Sequence, residues 1–419
     1  MNDFSNFERE TSKFIKRFPY FHKLIKYIYQ YINYILKRDK NFSYTIHRNA
    51  VITNISNESL FYGYYDHSPF SNDMNHFISH SFNNSLFLNL YKFKNEKLIK
   101  EASITETDYF NFQQGIRPIW LDSKNIIFNY VDNKFFKSGI YNIDNKLTTS
   151  IKYPVQEVSP DGEIIFSINY YHLDKINRDY GYNINERLKF EHINGIIGYR
   201  HKIDKILFNL KSEHIFNHSQ NKHNFKLEDC EINHLHHCPY TDSILFIFRN
   251  IKSNGFSELF KYDYVNKKIY LIYSGKLMSH YCWIDKNKIF AYLEHNDENG
   301  FFELSFNNQI HITQELLPNK KDNLNDGHPS LSPNEKWIVY DSYPNKARKS
   351  CLYIIENKIN AKKILIGTFY SPMKYYGYKR CDLHPRWSPD GKFISLDSAH
   401  EGKRKTYLIN VSQILKKYE

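Results

Sequence analysis

Long apolar runs are missing from this 419-residue chain. No stretch approaches the roughly 18 consecutive apolar residues of a membrane-spanning helix. The opening MNDFSNFERE is too polar and acidic for a secretory signal peptide. Cysteine is scarce: Cys230, Cys238, Cys282, Cys351 and Cys381 form no CxxC pair and no regular framework. An odd count without a signal peptide points to reduced thiols and a cytoplasmic location. Arginine clusters and nucleic-acid-binding motifs are absent too, and the lysines are scattered. The net charge of +12 therefore does not mark a nucleic-acid groove. It fits either a solvated lysine-rich surface or an anionic lipid or polysaccharide partner.

Aromatic residues are abundant. The chain has 35 Tyr and 32 Phe, which favour strands and supply a large core. Residues 1–45 stand apart as a basic amphipathic helical segment. Between Thr11 and Lys40, Phe14, Phe18, Phe21, Leu24, Ile25, Ile28, Ile32 and Ile35 recur at helical spacing. Lys13, Lys16, Arg17, Lys23, Lys26, Lys37 and Arg38 lie among them, and Pro19 divides a short helix from a long one. The segment either lies on an anionic membrane surface, peripherally at the inner membrane, or packs its apolar face on the rest of the chain or a partner. The second reading is the favoured expectation.

Residues 46–419 change to short β-type runs separated by turns. HPSLSPNEKWIVYDS (328–342) and HPRWSPDGKFISLDS (384–398) are copies of one unit, and VSPDGEIIFSINY from Val158 is a third. Four weaker copies start at Tyr64, Arg117, His234 and His280. Turn residues Pro69, Asp122, Pro160, Pro239, Asp285, Pro333 and Pro389 give a register with spacings suited to four-stranded blades. The expected fold is all-β: a seven-bladed β-propeller, its repeats running from about Tyr62. The longest gap, between Pro160 and Pro239, holds a polar insertion of the kind that carries function.

Five residues before each turn mark stand Tyr64, Arg117, Val155, His234, His280, His328 and His384. Equivalent positions in a propeller form a ring around the channel mouth. His234, His280, His328 and His384 are therefore candidate ligands for a divalent metal such as Mn²⁺, Zn²⁺ or Fe²⁺. A neutral imidazole there is alternatively a general base or a sugar contact. Asp66, Asp326, Asp382 and Asn233 are candidate supports for those histidines, or one of them a ligand. Arg117, preceded by Gln113 and Gln114, suits a substrate carboxylate or phosphate. Tyr64, Gln114, Arg178, Tyr182 and Arg380 are candidate substrate contacts, with Tyr180 between two of them. His236 and His237 are out of register, with loop packing expected. Arg348, His400 and Arg404 are expected to be peripheral.

The HPSLSPNEKW and HPRWSPDGKF segments resemble repeats of TolB-like propellers and, more specifically, of oligogalacturonate lyase. Over residues 60–410 the chain also resembles propellers found among bacterial surface-polysaccharide genes, with YGYYDHSPFS, NFQQG, SHYCW, DGHPSLSP and RCDLHPRWSP. In two blades SPDG is altered to CPYTD and SPNE, changes that fall on turns. The lyase resemblance implies channel histidines holding a divalent metal and β-elimination on an acidic glycan. His234, His328 and His384 would be ligands, His280 a ligand or base, and Arg117 the carboxylate's partner. The alternative is a non-catalytic glycan-binding or scaffolding propeller in surface-polysaccharide (capsule or O-antigen) biosynthesis.

Overall fold

A computed structural model describes residues 19–418, apart from 185–187, 253–254, 308 and 320–324. Seven antiparallel sheets follow one another around a central channel, each with its first strand innermost. The blades span residues 60–107, 119–151, 157–210, 231–275, 278–313, 330–370 and 386–410.

The strong repeats owe their likeness to one turn. Ser388 Oγ donates to Asp390 Oδ1 (2.6 Å) and accepts from the Phe393 amide (2.9 Å), while Gly391 takes φ +68°. The same lock joins Ser332 to Asn334 and the Trp337 amide, and Ser159 to Asp161 and the Ile164 amide. In the first blade the turn serine is Ser71, bonded to Asp73 and to the His76 amide. Met74 and Glu335 replace glycine at the left-handed position, with φ +61° and +59°.

The middle of each second strand is buried on both faces, since flanking blades cover it. Ile164–Ile168, Trp337–Asp341 and Phe393–Ser398 have no exposed residue. Such strands read as nearly continuous apolar runs, and each fully buried Ile or Phe contributes about 1.5–3 kcal/mol. Val51–Asn54 closes the ring by pairing with Lys405–Asn410 as the outer strand of the last blade. Tyr44–Ile46 adds a fifth strand to the sixth blade. Neither strand carries the turn motif, which is why the repeats do not reveal them.

The N-terminal helix, α1, runs Pro19–Lys37. Phe14 and Phe18 lie outside the described residues. Its aliphatic side chains do not pack on the propeller: Leu24, Ile28, Ile32, Ile35 and Leu36 are between 46% and 77% exposed. The expectation that this face is covered by the rest of the chain is thus corrected among the described residues. Among the described residues, no helix is long and apolar enough to cross a membrane.

Candidate functional site

The four histidines converge. Ring centroids of His234 and His280 are 5.2 Å apart, His280 and His328 4.1 Å, and His328 and His384 4.2 Å. Tyr64 stands at the centre of this arc, 5.0 to 6.4 Å from all four rings. Its place on the axis has a different cause from the one expected. Four residues before Ser159, Ser332 and Ser388 stand Val155, His328 and His384, and four before Ser71 stands His67. His67 is therefore the first blade's true equivalent, because Ser71 rather than Pro69 sets that turn. Tyr64 belongs to the loop that follows Leu60–Phe61.

Three ring positions share an unusual backbone. Arg117, His234 and His384 take φ +58°, +49° and +44°. Non-glycine residues hold this left-handed conformation at a cost of about 1–2 kcal/mol, and such strain gathers at functional sites. Gly327 is required beside His328, because a Cβ there would come within 1.8 Å of the Asp341 carbonyl oxygen.

The imidazoles differ in what they can offer. His328 donates from Nδ1 to the Asp341 carboxylate, at 2.9 and 3.1 Å. His384 donates from Nδ1 to the Gly63 carbonyl at 2.7 Å. Both Nε2 atoms are buried and have no protein partner. Asp382 lies beside them, and one donor atom from each of the three falls within 4.8 Å of the others. Nitrogen and carboxylate donors of this type suit Mn²⁺, Fe²⁺ or Zn²⁺, and Nδ1 anchoring is how ligating histidines are oriented. His280 turns Nδ1 to Ser279 Oγ (2.8 Å) and Asp326 (3.3 Å). His234 is placed differently: Nδ1 meets the Tyr64 hydroxyl at 2.8 Å, and Nε2 faces Arg249 at 3.4 Å. A guanidinium there opposes a cation, so His234 sits at the edge of the donor set.

Burial, reinforced by neighbouring positive groups, pushes the His234 and His384 imidazoles well below their ordinary range. Burial and His328 bring His280 down to about 4. These three are neutral at neutral pH and carry lone pairs. Burial also opposes a charge on His328, but Asp341 outweighs it and raises that imidazole.

Several expected contacts need correction. Arg117 is not free for a substrate carboxylate: its guanidinium forks onto Asp66 at 3.1 and 2.5 Å and its Nε donates to the Gln156 carbonyl. Asp66 accordingly supports Arg117 and not the four channel histidines. Tyr182 is wholly buried against Phe136 and Tyr170, bonded to Asn129, and belongs to the core. Arg178 is exposed near Asp174. Tyr180 from the same insertion is the residue that reaches in, 5.2 Å from the His234 ring. Arg380 lies at the site, bonded to Asp382 at 2.6 Å and to Asp179 of the insertion. Gln114 is buried with both ends of its amide unpartnered, and Gln113 donates to the Arg380 carbonyl. Asn233 accepts from the His234 amide.

His237 ends the strand Glu231–His237, bonds the Tyr264 hydroxyl and lies tilted against Phe166 at 5.4 Å, so it packs on a strand and not in a loop. His236 approaches Asp66 at 3.8 Å. Arg348 donates to the Ser371 carbonyl, and His400 bonds Ser398 away from the channel. Arg404 is less peripheral than expected, because it holds the carbonyls of Lys379 and Arg380 at 2.9 and 2.7 Å. Arg249 was not anticipated. It is the last residue of the strand Ser243–Arg249 in a weak repeat, and nothing in the spacing of FRN marks it.

No family model matches the sequence, and no curated protein matches it. Solved structures do. An oligogalacturonate lyase from Vibrio parahaemolyticus aligns at 12% identity and TM-score 0.55, covering 88% of this chain and 96% of that one. An oligogalacturonate lyase in complex with manganese aligns at 12% identity and TM-score 0.57, covering 89% and 98%. TolB from Acinetobacter baumannii aligns at 14% identity and TM-score 0.38, covering 67% and 59%. The chain has the seven-bladed propeller fold of oligogalacturonate lyases.

Proposed function

We propose that this propeller binds a divalent cation, of the manganese kind, between His328, His384 and Asp382 and acts on an acidic glycan by β-elimination. The observation that carries the reading is the pair of buried, unpartnered Nε2 atoms on His328 and His384, each oriented from behind through Nδ1. Unpartnered buried nitrogens are unfavourable by about 1–3 kcal/mol each, so their convergence beside a carboxylate implies a ligand. The manganese complex of a structurally similar lyase supports the choice of ion.

When bound, such an ion would offset a uronate carboxylate and so acidify the adjacent C–H. His280 is the residue placed to take that proton. Asp326 faces its Nδ1 and would stabilise the imidazolium that forms. Arg380 holds Asp382 in place and ties it to the insertion through Asp179. Incubating the manganese-loaded protein with uronate-containing oligosaccharides tests this. Ultraviolet absorbance from an unsaturated product is expected, and it should vanish in His280→Ala. A metal-loaded protein inert across a broad acidic-glycan panel would overturn the lyase reading.

One observation favours a non-catalytic glycan-binding propeller. Arg117, Arg249 and Arg380 are already engaged by Asp66, Glu231 and Asp382, which leaves none of these three free to neutralise a substrate carboxylate. Saturable binding of an acidic oligosaccharide without turnover would identify that function.

A further inference from the structure

We propose that α1 seats this protein on an anionic lipid bilayer, with its aliphatic face in the membrane interface. Leu24, Ile25, Ile28, Ile32, Ile35 and Leu36 share an arc of roughly 120° at 3.6 residues per turn. They are 40–77% exposed. Of the half-buried residues of the helix, Gln30, Asn33 and Tyr34 lie on the opposite side, and Tyr29 borders the arc next to Leu36. This amphipathic helix is inverted: its polar side meets the protein and its apolar side meets solvent.

The polar side is firmly placed. The Tyr370 hydroxyl donates to the Tyr34 hydroxyl at 2.9 Å, the Tyr27 ring packs edge-on against Tyr376 at 5.4 Å, and Lys349 reaches Asp39 at 3.9 Å. A helix held in that way cannot roll its aliphatic face inward without breaking these contacts. Among the described residues nothing covers that face.

Charge identifies the occupant. The segment from Pro19 to Arg38 contains Lys23, Lys26, Lys37 and Arg38 and no acidic residue. Five tyrosines (20, 27, 29, 31 and 34) accompany them, and tyrosine suits the boundary between headgroups and acyl chains. A 19-residue helix is about 28 Å long, and its aliphatic arc suits it to lie in the interface plane, where the net positive charge of the segment is attracted to anionic headgroups. A second copy fits less well. Ile25, Ile28, Ile32 and Ile35 have coiled-coil spacing, but Leu24, Tyr29, Tyr31 and Leu36 flank them with no charge pairs to fix a partner. Two such helices would also bring like charges together.

The test uses the full chain in vesicle co-sedimentation, with phosphatidylcholine alone or mixed with phosphatidylglycerol. Binding to the anionic vesicles is expected to be at least ten-fold tighter than to the neutral ones and to weaken with salt. Ile28→Asp with Ile32→Asp should lower it at least ten-fold while leaving the melting temperature unchanged. Four results would overturn the proposal. The wild type stays in the supernatant, or the double variant sediments like the wild type. Alternatively, sedimentation without lipid shows a dimer that the variant dissolves, which assigns the face to a second copy. A fall in the variant's melting temperature would also overturn it, because the face would then be packed within the chain. None of these outcomes depends on the histidine site.

Discussion

Asp341 is the buried carboxylate on which the proposed metal centre is built, and Asp341→Asn isolates its contribution. Its two oxygens accept from the His328 amide (2.7 Å), the His384 amide (3.1 Å) and His328 Nδ1. The residue is 1% exposed. Asparagine keeps the shape but offers one carbonyl oxygen and one NH2, so one of the two amides must face a donor. An unsatisfied buried amide costs about 1–3 kcal/mol, and breaking the buried contact to His328 adds to it. The expected loss of stability is about 3 kcal/mol in urea unfolding of the metal-free protein. His328 would also lose the group that orients its ring, which costs ligating histidines about 10–100-fold in metal affinity. Calorimetric titration with Mn²⁺ should show that weakening. If Asp341→Asn unfolds within ~0.5 kcal/mol of the wild type and its Mn²⁺ titration overlays, the reasoning is refuted.

Gly391→Ala is expected to lower stability by about 1–2 kcal/mol through backbone strain alone. φ there is +68°, and the added Cβ would meet only Pro333 Cδ at 3.9 Å. A change under ~0.3 kcal/mol in urea unfolding would contradict the turn lock as described. A pH effect follows from His67, which lies 2.9 Å from Glu157. Burial opposes its charge, but Glu157 outweighs burial and raises the imidazole above its usual 6.5. Glu157 is held below its usual 4.5 despite burial, chiefly by His67. The pair thus stabilises the fold most between pH 4.5 and 6.5, and the His67 share is lost as pH rises through the raised value. His67→Gln should flatten the decline in urea midpoint between pH 6 and pH 8.5, whereas a parallel decline in both proteins would contradict it.

The propeller was legible because closely packed blades impose one turn and one doubly buried strand on each repeat, and both leave marks such as SPDG and IIFSI. The closing strand Val51–Asn54 was not, since an outer strand pairs through its backbone and needs no motif. The histidines were legible for the same reason as the turns: His234, His280, His328 and His384 occupy one register position. Register failed in the first blade, where Pro69 imitates the turn proline while Ser71 sets the turn. It also could not say which polar group would be consumed by another. Arg117 and Asp66 are 51 residues apart, and nothing local shows that they pair. Tyr182 and Tyr180 are two residues apart, yet one enters the core and the other the site, a choice made by the path of the insertion.

The most direct measurement is diffraction from manganese-soaked crystals with data collected at the manganese absorption edge. An anomalous peak is expected ~2.0–2.3 Å from Nε2 of both His328 and His384, with an Asp382 oxygen completing the set, and it should disappear in His384→Ala. A map with no peak at these three residues, or a peak that survives His384→Ala, would contradict the metal centre.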